Sequence, residues 1–514
     1  MSSSNALASP RIKPASRLSH RALFAAILVI FLLLGAGDAL TRRPWGDEVF
    51  TANSAYDLIT RGKSGMTVLE PTGLGSLPGT VMLGIHERNY HVMPLSWVAQ
   101  AGWYKIFGFS LPAMRFFALA WGFLALVCWK YIVETLTGSR VLALVTVSLL
   151  AIDYAFLQGA TDGRPDMMSM SLGACAFAAY LKLRETSLSR AILACTTLLT
   201  LSIFTHPNGI LAGIPILLTY LMLDRGRFEW KQIAIAAAPF LIGIAAYGVF
   251  ILQDPAAYKA QFGLNAGAGG RLNGITRPVQ ALIDEVRIRY FERFYLPVYA
   301  TGMARLRVLI ILVYWGALLW AIAVPGLRRN PRYRVLFAAA VLDFLALALF
   351  DGTKSYFYMI HILPLYAAAL AICLKSAWEL GRAAKLAALG VVGLLAFLQL
   401  GWSVYSIAKN PYRNTYLPAI AYLREHAGPN ATIIGTGELG FALGFDANLR
   451  DDSALGFYSG RKGDFIVLDE RAYKQSLLSY AVKVPELDRY VRHILADEYH
   501  RVYDGPFYEI YQRQ

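Results

Sequence analysis

Long apolar stretches almost free of charge recur along this chain, and that recurrence constrains its fold more than any other feature. The stretch from Ala22 to Leu40 carries one acid, Asp38, among small, aliphatic and aromatic residues. A helix of that length crosses a hydrocarbon layer about 30 Å thick, and inside lipid each backbone N–H and C=O has to be paired within its own segment. Candidate spans cover residues 21–41, 113–134, 141–160, 167–183, 190–205, 207–223, 232–252, 305–324, 333–350, 356–375 and 384–406. Hydrophobic residues make up 56% of the 514. The expected fold is therefore a polytopic α-helical membrane protein with about 11 spanning helices. Many spans follow the first, so it reads as a signal anchor and not as a cleaved signal peptide. Residues 1–20, basic at Arg11, Lys13 and Arg17 and rich in Ser, Pro and Ala, are expected to form a disordered cytoplasmic leader.

The segment from Pro94 to Phe109 is apolar but short and contains Lys105, and its treatment sets the sidedness of everything after it. If it stays at the surface as a juxtamembrane helix, Arg140, the Lys182/Arg184/Arg190 group, the Arg225/Arg227/Lys231 group, the 328–334 arginines and Lys375/Arg382/Lys385 share the side of the basic N-terminus. If it crosses, all of them flip. The positive-inside rule selects the first arrangement. That bias also accounts for the net charge of +15, so no nucleic-acid partner is needed to explain it. The transmembrane domain then covers 21–407, and its loops 42–112 and 253–304 face outward. The expected location is the inner membrane, with those loops and the C-terminal region on the periplasmic side.

From about residue 408 the pattern changes. Thr432–Gly435 and Asp464–Asp469 read as short buried strands, Tyr416–His426 and Pro485–Ala496 as amphipathic helices, and Arg501–Ile510 as a hairpin around Asp504-Gly505. Residues 408–514 are expected to form a small α/β domain. The four cysteines, Cys128, Cys175, Cys195 and Cys373, all lie inside apolar stretches, so neither a disulfide framework nor a zinc site is on offer. The glycine-rich run 263–274 does not join a strand to a helix and is a weak nucleotide signal.

Where the first span ends stand two adjacent carboxylates, Asp47 and Glu48, which cost free energy if buried near lipid. They either cap a short helix running into Val49 or do chemistry. On the inferred topology they share the outer face with Glu87, Asp162, Asp166, His86, His91 and His206, and with Arg88, Arg164, Arg271, Arg277, Arg287, Arg289 and Arg293. Outward arginines run against the positive-inside trend, and the guanidinium fork matches phosphate, so an anionic ligand is expected. For Arg287, Arg289 and Arg293 the alternative is pairing with Asp284, Glu285 and Glu292 on one helix, or contact with lipid headgroups. Asp166 after Pro165 also suits a helix N-terminus, and His206 before Pro207 a helix end. Tyr356 and His361 could line a cavity or anchor the membrane interface.

The order of these elements resembles the polyprenyl-phosphate-sugar-dependent GT-C glycosyltransferases, the superfamily of the protein O-mannosyltransferases and the lipid A aminoarabinose transferase. Asp47-Glu48 resembles the acidic pair after the first helix. His91-Val92-Met93-Pro94-Leu95 resembles a His-Pro-Pro-Leu element before a short helix, with Met93 in place of the first proline. Gly163-Arg164-Pro165-Asp166-Met167 resembles the Arg-Pro-Asp element opening a later helix. The resemblance implies a GT-C fold, Asp47 as catalytic base supported by Glu48, and His91 and Asp166 lining the donor–acceptor site. The implied partners are a polyprenyl-phosphate-linked sugar, an acceptor lipid, glycan or protein, and membrane lipids.

The chemistry agrees. Outside the cytoplasm there is no nucleotide-sugar pool, so a glycosyl donor has to arrive on a membrane carrier. Transfer then needs a base for the acceptor hydroxyl and cations for the departing phosphate. Asp47 serves the first need, with Asp166 in the same catalytic group. Arg88, Arg164 or the 271–293 arginines, Arg271 among them, are candidates for the second, and Glu87, His91, His206 and Tyr356 for substrate contacts. The adjacent acids could also hold a divalent cation, although no cofactor is required. A lipid or solute transporter or flippase is the alternative, disfavoured because the polar residues pool at one face and not at the bilayer midplane. A scaffold with incidental outer acids is a further one.

Overall fold

The computed structural model describes residues 17–72, 82–263, 266, 270–297, 301–446, 448–470 and 473–514. Most of the expected leader, and residues 264–265 and 267–269 of the glycine-rich run, lie outside them. Helix α1 (Arg17–Thr41) leads into α2 (Gly46–Arg61) and α3 (Pro94–Phe107), followed by α4 (Leu111–Thr137), α5 (Arg140–Ile152), α6 (Tyr154–Ala160), α7 (Asp166–Leu183) and α8 (Leu188–Thr205). A tight 3-10 segment (Pro207–Ala212) opens α9 (Gly213–Thr219), and α10 (Lys231–Ile251) follows. The second long loop contains α11 (Pro255–Gly263), α12 (Asn273–Thr276) and α13 (Pro278–Asp284), the last continued by the wider π-turns of Glu285–Tyr295. Then come α14 (Val308–Ala323), α15 (Pro325–Arg328), α16 (Pro331–Phe350), α17 (Leu363–Glu379) and α18 (Arg382–Lys409).

Among the described residues, eight helical segments are long and apolar enough to cross a membrane, or nine if α5 and α6 count as one. The expected single span 141–160 is broken: α5 and α6 meet at a 70° bend. Asp153 sits at the bend, where its carboxylate accepts the Phe156 N–H at 3.0 Å, the Tyr314 hydroxyl at 3.0 Å and the Gln399 amide at 2.6 Å. Those bonds tie the corner to α14 and α18. The expected spans 167–183 and 356–375 fall on α7 and α17, which lie in the interior of the bundle. From Leu363 to Cys373 every residue of α17 is buried, as for a helix enclosed on all sides.

Asn410 caps α18 in the left-handed region at φ 42°, and the α/β unit begins there. Its elements are α19 (Leu417–His426), β1 (Ile433–Gly435), α20 (Gly440–Leu443), β2 (Leu449–Arg450), β3 (Phe465–Asp469), α21 (Tyr473–Lys483), α22 (Pro485–His493), β4 (Tyr499–Asp504) and β5 (Tyr508–Arg513). The sheet order is β2-β1-β3-β5-β4, with β1 parallel to β2 and β3, and the β4–β5 hairpin antiparallel at the other side. This unit shares one apolar core with the first loop: Val49, Ala52, Met66 and Trp97 pack with Tyr416, Leu439, Tyr508 and Ile510. Polar ties add to it, from Arg450 to the Thr67 carbonyl at 2.6 Å and between Arg461 and Glu70 at 2.9 Å. Loop 42–112 and the C-terminal unit therefore occupy the same end of the bundle.

Candidate active site

The two adjacent acids go separate ways. Glu48 is fully buried and grips Arg115, also fully buried, through both oxygens at 2.9 and 2.8 Å. Its remaining lone pairs accept the Trp45 and Gly163 backbone N–H groups at 3.2 and 3.3 Å, so the helix-capping reading is right for Glu48. Arg115 also donates to the carbonyls of Ala39, Arg42 and Arg43. One guanidinium thus closes the end of α1, the turn into α2 and the start of α4. Both Glu48 oxygens are thus occupied by Arg115 and by backbone N–H groups.

Asp47, one position earlier, points the other way. Its side chain is 44% exposed, and it accepts a hydrogen bond from Arg164 Nη1. Arg164 Nε donates to Asp166 Oδ2 at 2.8 Å, so one arginine links the first-loop acid to the acid that opens α7. The guanidinium lies over Phe357 at 4.3 Å, and Phe357 in turn stacks on Trp45 at 5.0 Å. Burial raises the Asp47 pKa, with Arg164 opposing. Behind them, buried Asp162 accepts the Trp45 indole N–H at 3.2 Å. Burial, then the charge of Glu48, push Asp162 up to about 7.

A second arc faces this acid pair. His206 accepts the Asn208 N–H on Nδ1 at 3.2 Å, which assigns its proton to Nε2, 3.8 Å from Asp166 Oδ1. Burial lowers His206 to about 4, so the ring is neutral. Its ring packs 5.1 Å from that of Tyr358, whose hydroxyl accepts from Arg271 Nη1 at 2.8 Å. Arg271 can come this close because Gly352 takes no side chain: a Cβ there would stand 2.1 Å from the Gly270 carbonyl. His91 packs on Phe50 with ring centroids 5.0 Å apart, and burial, reinforced by Arg271, lowers it to about 4. Asn89 holds the His91 element in place, accepting the His91 N–H at 2.9 Å while donating to the Phe50 carbonyl and Ser54.

Asp47, Arg164, Asp166, His206, His91 and Arg271 thus gather at one opening, as the sequence suggested. Others do not. Glu87 is exposed and pairs with Lys63 at 2.7 Å, and Arg88 is held by Gln253 at 2.9 Å; both face outward from their loop. Tyr356 stacks with Phe294 and packs tilted against Phe357, and it is Tyr358 that meets Arg271 and His206. Arg289 pairs with Glu285 at 2.5 Å and Arg287 with Glu292 at 3.3 Å, as the same-helix alternative expected, and Arg289 also reaches Asp351, just after α16, at 3.0 Å. The two carboxylates of Asp47-Glu48 meet different arginines, Arg164 and Arg115. Among the described residues, no group of three or more His, Cys, Asp or Glu could hold a metal ion.

A groove of about 590 Å³ lies between α3, α8 and α10. Its walls are apolar, with Pro94, Leu95, Trp97, Phe204 and Phe250 among them. Tyr90, next to His91, packs on Phe250 at 4.8 Å, which brings the groove to the edge of the polar cluster.

The architecture matches solved structures along nearly its whole length. ArnT from Cupriavidus metallidurans, solved with undecaprenyl phosphate bound, aligns with a TM-score of 0.59 at 14% identity over 96% of this chain and 98% of that one. The chain has the GT-C fold. The apo form of the same ArnT aligns with a TM-score of 0.53 at 13% identity, again over 96% and 98% of the two chains. A second GT-C neighbour is the oligosaccharyltransferase AglB from Archaeoglobus fulgidus, in complex with an inhibitory peptide and a dolichol-phosphate. It aligns with a TM-score of 0.55 at 12% identity over 96% of this chain and 74% of that one. The sequence model of the dolichyl-phosphate-mannose-protein mannosyltransferase family matches residues 91–250. No curated protein matches the sequence.

Proposed function

We propose that this chain is an integral-membrane glycosyltransferase that moves a sugar from a polyprenyl-phosphate carrier to an acceptor hydroxyl at the outer face of the membrane. The observation that carries the reading is Asp47, an accessible carboxylate that Arg164 ties to Asp166, in a molecule whose apolar groove of about 590 Å³ is lined by Phe250, the residue packed against Tyr90 beside His91. The pooling of His91, His206, Arg271 and Tyr358 at one opening favours it over a transporter, which needs its polar groups near the bilayer midplane.

In the proposed reaction the acceptor hydroxyl gives its proton to Asp47 as its oxygen bonds to the anomeric carbon. The bond from that carbon to the phosphate oxygen breaks, and the phosphate leaves with the electron pair. Burial raises the affinity of Asp47 for the proton, while Arg164 opposes that rise and aims the carboxylate. Arg164 is already engaged by two carboxylates, so Arg271, with the Tyr358 hydroxyl, is the better partner for the departing phosphate. A single base with direct displacement inverts the anomeric centre. The test is transfer from a synthetic polyprenyl-phosphate sugar by the purified protein in lipid. Asp47→Asn should fold and lose transfer, and an Asp47→Asn protein that turns over at the wild-type rate would overturn the assignment.

A further inference from the structure

A second pocket, of about 220 Å³, lies at the end of the bundle remote from Asp47, lined by His20, Arg21 and Phe24 of α1, Lys130 and Glu134 of α4, and Arg140 and Leu144 of α5. Helix α1 runs from this pocket to the Arg42–Arg43 turn, and at 1.5 Å per residue the path is roughly 32 Å. That is about the thickness of the hydrocarbon layer, so the pocket stands at headgroup level on the opposite boundary. Its flanks are apolar and exposed: Leu23 is 51% and Val141 54% exposed.

The lining carries an uncompensated positive charge. Glu134 is its one carboxylate, and it already bridges Lys130 at 2.7 Å and Arg140 at 3.0 Å. Arg21 enters no ion pair among the described residues, and His20 lies alongside. Residues 1–16 contain neither Asp nor Glu, so the leader cannot neutralise the surplus. Phe24 and Leu144 give the pocket an apolar floor, with Lys130 over the Phe24 ring at 5.7 Å. A charged rim over an apolar floor at the membrane boundary matches a lipid whose anionic phosphate meets the cations while its glycerol and chains continue along the helices.

We propose that this pocket binds the phosphate of an anionic phospholipid headgroup from the leaflet opposite the active site. The test uses the full-length protein in phosphatidylcholine nanodiscs doped with phosphatidylglycerol, with bound lipids counted by native mass spectrometry. Wild type should retain phosphatidylglycerol over phosphatidylcholine. The paired substitution Arg21→Gln with Arg140→Gln, both at the rim, should weaken that retention about tenfold. Glu134→Gln should strengthen it, because the competing carboxylate is gone; a structural role for Glu134 would not produce a gain. Equal retention by the paired variant, or a loss in Glu134→Gln, would overturn the proposal. So would inorganic phosphate alone binding as tightly as the lipid with the same dependence on Arg21 and Arg140, since the ligand would then be free phosphate.

Discussion

Glu48 and Asp47 are adjacent in sequence, and substituting each by its amide should separate stability from catalysis. Glu48→Gln keeps the shape of the side chain but removes the charge facing Arg115, both partners being fully buried. Breaking a buried pair on one side costs about 3–5 kcal/mol. Arg115 retains three backbone carbonyl acceptors, which places the loss toward the lower end, about 3 kcal/mol. For a chain of this length a global unfolding midpoint moves by about 1 °C per kcal/mol, so a fall of roughly 3 °C is expected. Asp47→Asn differs at every step. The side chain is 44% exposed, Arg164 keeps Asp166 at 2.8 Å, and an amide oxygen can still accept from Arg164. Its stability cost should stay below about 1 kcal/mol, while transfer falls by about 10²–10⁴-fold if a general base has been lost. The assay pairs thermal unfolding in lipid with the initial rate of transfer on the same preparations. A midpoint unchanged in Glu48→Gln, or an Asp47→Asn protein destabilised as much as Glu48→Gln, would refute the division of roles.

Other expectations follow from the same geometry. Arg164 lowers the Asp47 pKa, so Arg164→Gln should move the acid limb of kcat/KM to higher pH, because the base then protonates at higher pH; a profile that only drops in height would deny that contact a role in tuning the base. Glu438, buried between Arg43 and Tyr508 where the C-terminal unit meets the first loop, is raised by burial from 4.5 to about 8. Its folded pKa exceeds the unfolded one, so stability is lost as pH climbs from 4.5 to about 8. Thermal midpoints across that range should show the decline, and Glu438→Gln should flatten it. Met93 stands at φ −61° and ψ 139°, a conformation proline itself adopts, so Met93→Pro should raise stability by about 0.4–1 kcal/mol and keep activity. A large loss of unfolding midpoint or rate in that variant would show that the turn needs more than backbone shape.

The spans were legible because membrane helices need length and apolarity, which a sequence displays directly. The bend at Asp153 was not, since it depends on Tyr314 and Gln399 arriving from far along the chain. In the candidate site, motif order was informative for Asp47, His91 and the Arg164–Asp166 element. Adjacency misled in two places. Glu87 and Arg88 lie close to His91 in sequence but on the outward side of their loop, and Glu48 shares a dipeptide with Asp47 but faces the opposite direction on α2. Arg115 left a signal that could have been read: an arginine close to the start of an apolar span needs a buried partner. Tyr358 left none, because which of two tyrosines faces Arg271 is decided by the close packing of Gly352 on Gly270.

The central claim is that Asp47 drives sugar transfer from a lipid carrier, and comparative mass spectrometry of polyprenyl-phosphate sugars and envelope glycans in cells tests it most directly. Cells whose only copy carries Asp47→Asn should accumulate one carrier-linked sugar and lack that same sugar from one acceptor, with the wild-type copy restoring both. Glycans and carrier pools identical in mutant and wild-type cells would contradict the account.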